Sequence, residues 1–199
     1  MKPSNLILFS IASMAFFYIQ LWDVSLTTPL HLSLLGACTV YGIYIKNINM
    51  SHIAGFIFTL TALPTIIFET GLINHIIVNM SKVLQGLIIY GTQLFFSLAT
   101  ISILIFRVQV SRHLSKSKNI ELTNFDGVFH WIYIYISILY LSSMVEYFIK
   151  VHFNMNSWTF IYDNFEGLVY IAWALNCGAL LTMMITSQKS DTRTEKTTA

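Results

Sequence analysis

The sequence predicts an all-α fold, a polytopic bundle of transmembrane helices with six spans and both termini on the cytoplasmic side of a cell membrane. Three observations predict it. Of the 199 residues, 55% are hydrophobic and only 10% are charged, and the mean hydropathy is +0.66. A water-soluble domain carries about 25% charge, so this chain could bury a core but could not cover one with a water-facing surface. The apolar residues gather into six long runs nearly free of charge, the pattern of a membrane protein. Finally, the basic residues fall almost entirely on one side of the map those runs define. These features exclude a soluble enzyme and a nucleic-acid module. A net charge of +2 is too small for a phosphate-binding face, so membrane lipids are expected as partners and nucleic acid is not.

The runs follow in order. Residues 6–22 form the first. Lys2 precedes it, as in a signal peptide, but the run stays apolar through Phe16, Phe17, Tyr18 and Ile19 and lacks a small-x-small cleavage site; a retained helix is expected. The others are residues 29–45, 52–68, 83–106, 128–149 and 167–185. Each is about long enough to cross a hydrocarbon core of ~30 Å. Within lipid only a helix satisfies its own backbone polar groups. The shortest runs, of 17 residues, fit if they stand nearly upright. Residues 1–186 are therefore read as one transmembrane domain, and 187–199 as a polar, mixed-charge, disordered cytoplasmic tail.

Charge orients the bundle. With the N-terminus inside, the inner segments hold Lys2, Lys46, Arg107, Arg112, Lys116, Lys118, Lys189, Arg193 and Lys196, nine of the eleven Lys and Arg. Only Lys82 and Lys150 lie outside, as the positive-inside rule requires. Segment 70–80 (TGLINHIIVNM) is ambiguous. It could lengthen the third helix, lie in the interface or re-enter, and Gly71 favours a break after Glu69. As a seventh span it would put the basic stretch 107–118 outside, against the charge rule. That stretch suits contact with anionic headgroups.

An ionisable residue inside a span is costly and is by default a functional candidate. Glu146 lies about one turn from the outer end of the fifth run and shares a helical face with Tyr135 and Ser142. It suits either an edge ion pair with Lys150, four residues on, or a cavity that takes a cation. Glu69 ends the third run, five residues after Pro64. A proline there removes a backbone donor and predicts a kink. Asp163 and Glu166 open the sixth run, where the helix dipole favours acids. Glu69, Glu146 and Glu166 then form an acidic rim on the outer face. In the fourth run Gln93, Ser97 and Thr100 make one stripe, with Gln93 near mid-membrane and suited to an interhelical hydrogen bond. In the sixth, Ala174, Gly178 and Thr182 read as close packing, and Asn176 as another interhelical bond.

His52 and His130 sit at the inner ends of the third and fifth runs, and a pair of histidines on facing helices can ligate a b-type haem. Their position at helix ends and the lack of CxxCH favour no cofactor, with a haem redox protein as the alternative. His31, His75 and His152 map to the outer face. The two cysteines, Cys38 and Cys177, lie in apolar runs with no CxxC spacing, so neither a disulfide framework nor a metal site is expected. A GxSxG elbow, HExxH and a Gly-rich phosphate loop are all missing. The chain therefore does not read as an enzyme. A membrane sensor or scaffold module, or self-association into a homo-oligomer, fits the same features.

The stretch 131–175 (WIYIYISILYLSSMVEYFIKVHFNMNSWTFIYDNFEGLVYIAWAL) resembles the last two spans of the fungal RTA-like, lipid-translocating exporter family. Glu146 matches a Glu at the end of one span. Trp158, Phe160 and Tyr162 resemble its aromatic loop cluster, and Phe165 with Glu166 the aromatic-acid pair that opens the last span, with Glu where the family prefers Asp. Pro3-Ser4, residues 40–46 (VYGIYIK), Pro64, and Gly91 with Gln93 are similar to features upstream. The family has seven spans. Ser143 stands where it has Arg, and Thr39 where it has an acid. The resemblance implies lipid or amphiphile transport, or membrane stress resistance. Its expected site is Glu146, Glu166, Glu69, Tyr135 and Gln93, working around a Pro64 kink.

Overall fold

A computed structural model describes residues 3–73, 80–115, 120–155, 157 and 159–198. The described residues hold helices and no strands. Helix α1 (Pro3–Trp22) leads through a 3-10 turn (Val24–Leu26) to α2 (Thr27–Tyr44) and α3 (Ile48–Glu69). Then come α4 (Lys82–Ile105), α5 (Arg107–Ser115), α6 (Asn124–Phe153), α7 (Phe160–Asp163) and α8 (Phe165–Thr198). Among the described residues, five helices are long and apolar enough to cross a membrane: α1, α3, α4, α6 and the part of α8 up to Ser187. This is the make-up of a multi-pass membrane protein. The sixth expected run, α2, is a helix of 18 residues outside that set. Thr27, Thr28, Pro29 and His31 dilute its first turns.

The helices start and stop where local chemistry directs. Asn47 accepts the Met50 N–H at 3.1 Å and so caps α3. Lys46 just before it takes a left-handed φ of 55°, which closes the α2–α3 turn. Gly42 makes that turn possible: a Cβ there would lie 2.8 Å from the Ser51 nitrogen. α3 runs unbroken through Pro64, although the ring withholds the donor that Leu60 C=O would otherwise receive. Thr70 and Gly71 (φ 70°) then end it, the break expected after Glu69. His75 lies outside the described residues. α6, at 30 residues, spans roughly 45 Å, longer than a hydrocarbon core, and projects beyond the predicted 128–149. The apolar part of α8 ends at Ser187, but its backbone continues helically to Thr198. The composition of 187–199 predicts a disordered tail. A helix already nucleated needs one further hydrogen bond per residue to propagate.

α8 is the hub. It packs along α1 and also meets α6, α2 and α3, while α4 lies along α6 and α2 along α3. Gly178 sets the closest approach: a Cβ there would lie 2.9 Å from the Ser13 nitrogen and 3.1 Å from the Phe9 carbonyl oxygen. Ala174 and Thr182 are buried beside it, as the small-residue spacing predicts. α2 turns Thr27, His31, Leu35, Cys38 and Gly42 inward along one stripe. Ser97 and Ser137 join α4 to α6 by a hydrogen bond of 2.8 Å. Outward, Ile7, Met14, Val40, Phe95 and Ile138 are exposed, as lipid-facing side chains are.

Candidate functional site

α3 packs on α2 and α4, and the space it leaves against α6 is a cavity of about 330 Å³. α3 supplies Thr61, Pro64, Thr65 and Glu69; α4 supplies Gln93, Phe96, Ser97 and Thr100; α6 supplies Tyr133, Ile136 and Tyr140. Thr28 and Trp173 close it from α2 and α8. Thr65 and Thr100 donate to the Thr61 and Phe96 carbonyls at 2.9 and 2.8 Å. Their hydroxyl oxygens keep lone pairs free to accept.

Behind the Tyr133 wall lies a polar chain. Thr61 Oγ1 is 3.4 Å from Tyr133 OH. Asn176 Nδ2 is 3.3 Å from the same hydroxyl and 2.9 Å from His31 Nε2. His31 is buried, and its ring stacks on Trp173 with centroids 5.1 Å apart. Asn176 therefore makes the interhelical bond expected of it, to two helices at once. His31, one turn into α2, is turned into the bundle; its place on the inward stripe of α2, with Leu35 and Cys38, is the signal that carries this.

The expected site residues separate. Gln93, Pro64 and Glu69 share the cavity, with Glu69 exposed at the end of α3. Gln93 makes no hydrogen bond to another described residue; Ser97, one turn on, makes the bond between helices. Tyr135 is not on the cavity wall, and its hydroxyl donates to Leu168 C=O at 3.3 Å. Glu146 Oε2 accepts the Tyr162 N–H at 2.7 Å. Lys150 does not pair with Glu146. It reaches Asp163 at 3.4 Å and lies 4.6 Å above the Tyr162 ring, because α7 brings an acid and an aromatic face within its reach. Glu166 is exposed in a separate groove with Tyr90, Tyr162 and Asp163. The histidines proposed for haem pack on their own helices, His52 against Phe56 and His130 against Trp131, at 5.8 and 6.5 Å. Neither lines the cavity.

The loop before α8 is tied by Asp163. The Thr159 hydroxyl, 2.7 Å from Asp163 Oδ2, holds the carboxyl below its ordinary range, and Lys150 adds to this. A carboxyl lowered by folding stabilises above its unfolded pKa and loses that contribution as pH falls through the folded value. The protection of amides 159–164, taken relative to intrinsic exchange at each pH, should therefore be constant from neutral pH down to the usual carboxylate range and fall below it. In Asp163→Asn this acid step should vanish.

The opposite end carries a constellation that the apolar runs give no sign of. Arg107, fully buried where α4 turns into α5, forms an ion pair with Asp126 in the first turn of α6. It donates to Asp126 Oδ2 at 2.8 Å, to Asn49 Oδ1 at 3.0 Å and to Glu121 C=O. Asp126 also accepts from the Thr123 N–H and hydroxyl at 2.6 and 2.9 Å. The spacing of Thr123 and Asp126, three residues apart before an apolar run, is a capping signal that could have flagged the acid.

Fold and cavity together define a multi-pass helical membrane protein with a largely apolar chamber, dotted with polar groups, between its helices. No protein-family model matches the chain, and comparison with curated proteins and with solved structures finds no significant match to either.

Proposed function

We propose that the chain crosses a cell membrane six times, with both termini cytoplasmic, and that the cavity between α3, α4 and α6 holds a lipid or small amphiphile during its transport or translocation. The cavity carries the reading: its walls are apolar rings and aliphatic groups interrupted by acceptor hydroxyls, with Gln93 inside and Glu69 at its end. That combination takes a molecule with one apolar and one polar part.

The six-span arrangement has support in the contacts. Asn49, Arg107, Glu121 and Asp126 meet, and Ser187 Oγ lies 3.5 Å from Met50 Sδ. The starts of α3 and α6 and the ends of α4 and of the apolar part of α8 thus share one end of the bundle, where Lys46, Arg107 and Arg112 also lie. Lys82 and Lys150 sit at the other, where Tyr147 OH donates to Lys82 C=O at 2.9 Å. α2, linking α1 to α3 through short turns, then crosses as well. Resemblance to the RTA-like exporters points to the same substrate class.

Glu146 is committed to the Tyr162 N–H, so the headgroup role falls to Glu69 with Gln93, and Glu166 marks the outer groove. Glu69→Gln should lower amphiphile binding by reconstituted protein about tenfold, the ~1.4 kcal/mol of one charge-assisted contact, with thermal stability unchanged. If Glu69→Gln and Gln93→Leu both bind as the parent does, the cavity is not the site.

A further inference from the structure

A second groove, of about 430 Å³, lies at the end of the bundle that holds Arg107. It is lined by Ile105, Val108, Gln109, Arg112, Glu121 and Leu122. Its apolar wall faces outward: Ile105 is 56% and Leu122 74% exposed. Its two charged residues, Arg112 and Glu121, line one groove without pairing with each other; the ion pairs among the described residues are Arg107–Asp126 and Lys150–Asp163. The segment that carries Glu121 is tied to its neighbours. The Glu121 N–H donates to Asn49 Oδ1 at 3.3 Å, the Glu121 carbonyl accepts from buried Arg107, and the carbonyl of buried Ile120 accepts from Arg112 at 3.3 Å. Three side-chain bonds thus hold the rim that carries Glu121, and Arg112 spends one of its five donors on that hold.

An arginine and a glutamate that line one groove without pairing with each other, with aliphatic groups beside them at the end of a membrane-spanning helix, match a molecule with the reverse dipole and a hydrocarbon tail. We infer that this groove binds a zwitterionic aminophospholipid of the phosphoethanolamine type, its phosphate on Arg112, its ammonium on Glu121 and an acyl chain along Ile105 and Leu122. Arginine presents a fork suited to phosphate oxygens. A carboxylate favours a primary ammonium, which brings N–H donors that a quaternary headgroup lacks. Gln109 adds an amide at the same wall. The site is separate from the cavity between α3, α4 and α6 and does not depend on what that cavity carries.

The test is lipid retention by the full chain in nanodiscs containing equal parts of phosphoethanolamine, phosphocholine and phosphoglycerol lipids, read by native mass spectrometry after release. The phosphoethanolamine lipid is expected to be retained about tenfold over the phosphocholine one. Glu121→Gln should abolish that preference, and Arg112→Gln should lower retention of all three, while Arg112→Lys keeps part of it. Glu121 is exposed and its carboxylate holds no other group among the described residues, so Glu121→Gln should unfold at the parent's temperature, and Arg112→Lys keeps a donor for the Ile120 carbonyl. Equal retention of the three lipids, preference for phosphoglycerol, or retention unmoved by both substitutions overturns the assignment. Displacement by free phosphoethanolamine as readily as by the lipid would make the occupant a soluble headgroup, and overturns the lipid as well.

Discussion

Replacing Arg107 by alanine is expected to cost 3–5 kcal/mol, about what breaking one side of a buried ion pair costs. The loss is large because Arg107 does several things at once. It joins the α4–α5 junction to Asp126 of α6, to Asn49 of α3 and to the Glu121 carbonyl. Without it Asp126 stays buried with only the Thr123 donors, and Asn49 and Glu121 lose their shared partner. For a chain of this length the melting temperature should fall by roughly 10 °C, read as loss of a monodisperse peak after heating in detergent. Arg107→Met combined with Asp126→Leu should recover much of the loss, since removing both charges removes the uncompensated one. If the single variant melts with the parent, the buried pair is not what ties this end of the bundle together.

Enlarging Gly178 is the second strong perturbation. A leucine there would put its Cβ against Ser13 and 3.1 Å from the Phe9 carbonyl oxygen, and part of what it meets is backbone, which cannot rotate aside. Overpacking of this kind costs about 1–3 kcal/mol. In lipid no hydrophobic force returns the helix, because the alternative neighbour is equally apolar; α1 should therefore separate from α8. The melting temperature in detergent should fall by roughly 5 °C in Gly178→Leu, and Gly178→Ala should show a smaller fall. An unchanged melting temperature in Gly178→Leu would mean that α1 is held by contacts elsewhere.

The helices were legible because their apolar runs are long and sharply bounded. Their inward faces were not. In the run WIYIYISILYL of α6 nearly every position is apolar, so no polar stripe marks the outside and the helical phase disappears; lipid, unlike water, does not demand one. Tyr135 was therefore as plausible a cavity residue as Tyr133, two positions away and rotated by about 200°. Polar residues in otherwise apolar runs did stand out, and Glu69, Gln93 and Pro64 do share a chamber. Glu146 stood out for the same reason, but its partner is a backbone N–H, which no residue identity announces. Arg107 was hidden by position: at the edge of a run an arginine reads as orientation charge, and only the fold shows that it is enclosed.

That enclosure has a consequence for biosynthesis. Of the partners of Arg107, Asn49 is made earlier, but Glu121 and Asp126 follow by 14 and 19 residues. While those residues are still within the ribosome, the guanidinium has no acid to meet and must stay hydrated at the membrane surface. α4 can reach its final depth only when the first turn of α6 emerges beside it. These two crossings are thus committed to the bilayer as a pair, and a chain stalled between them would leave the translocation machinery holding a helix that cannot settle.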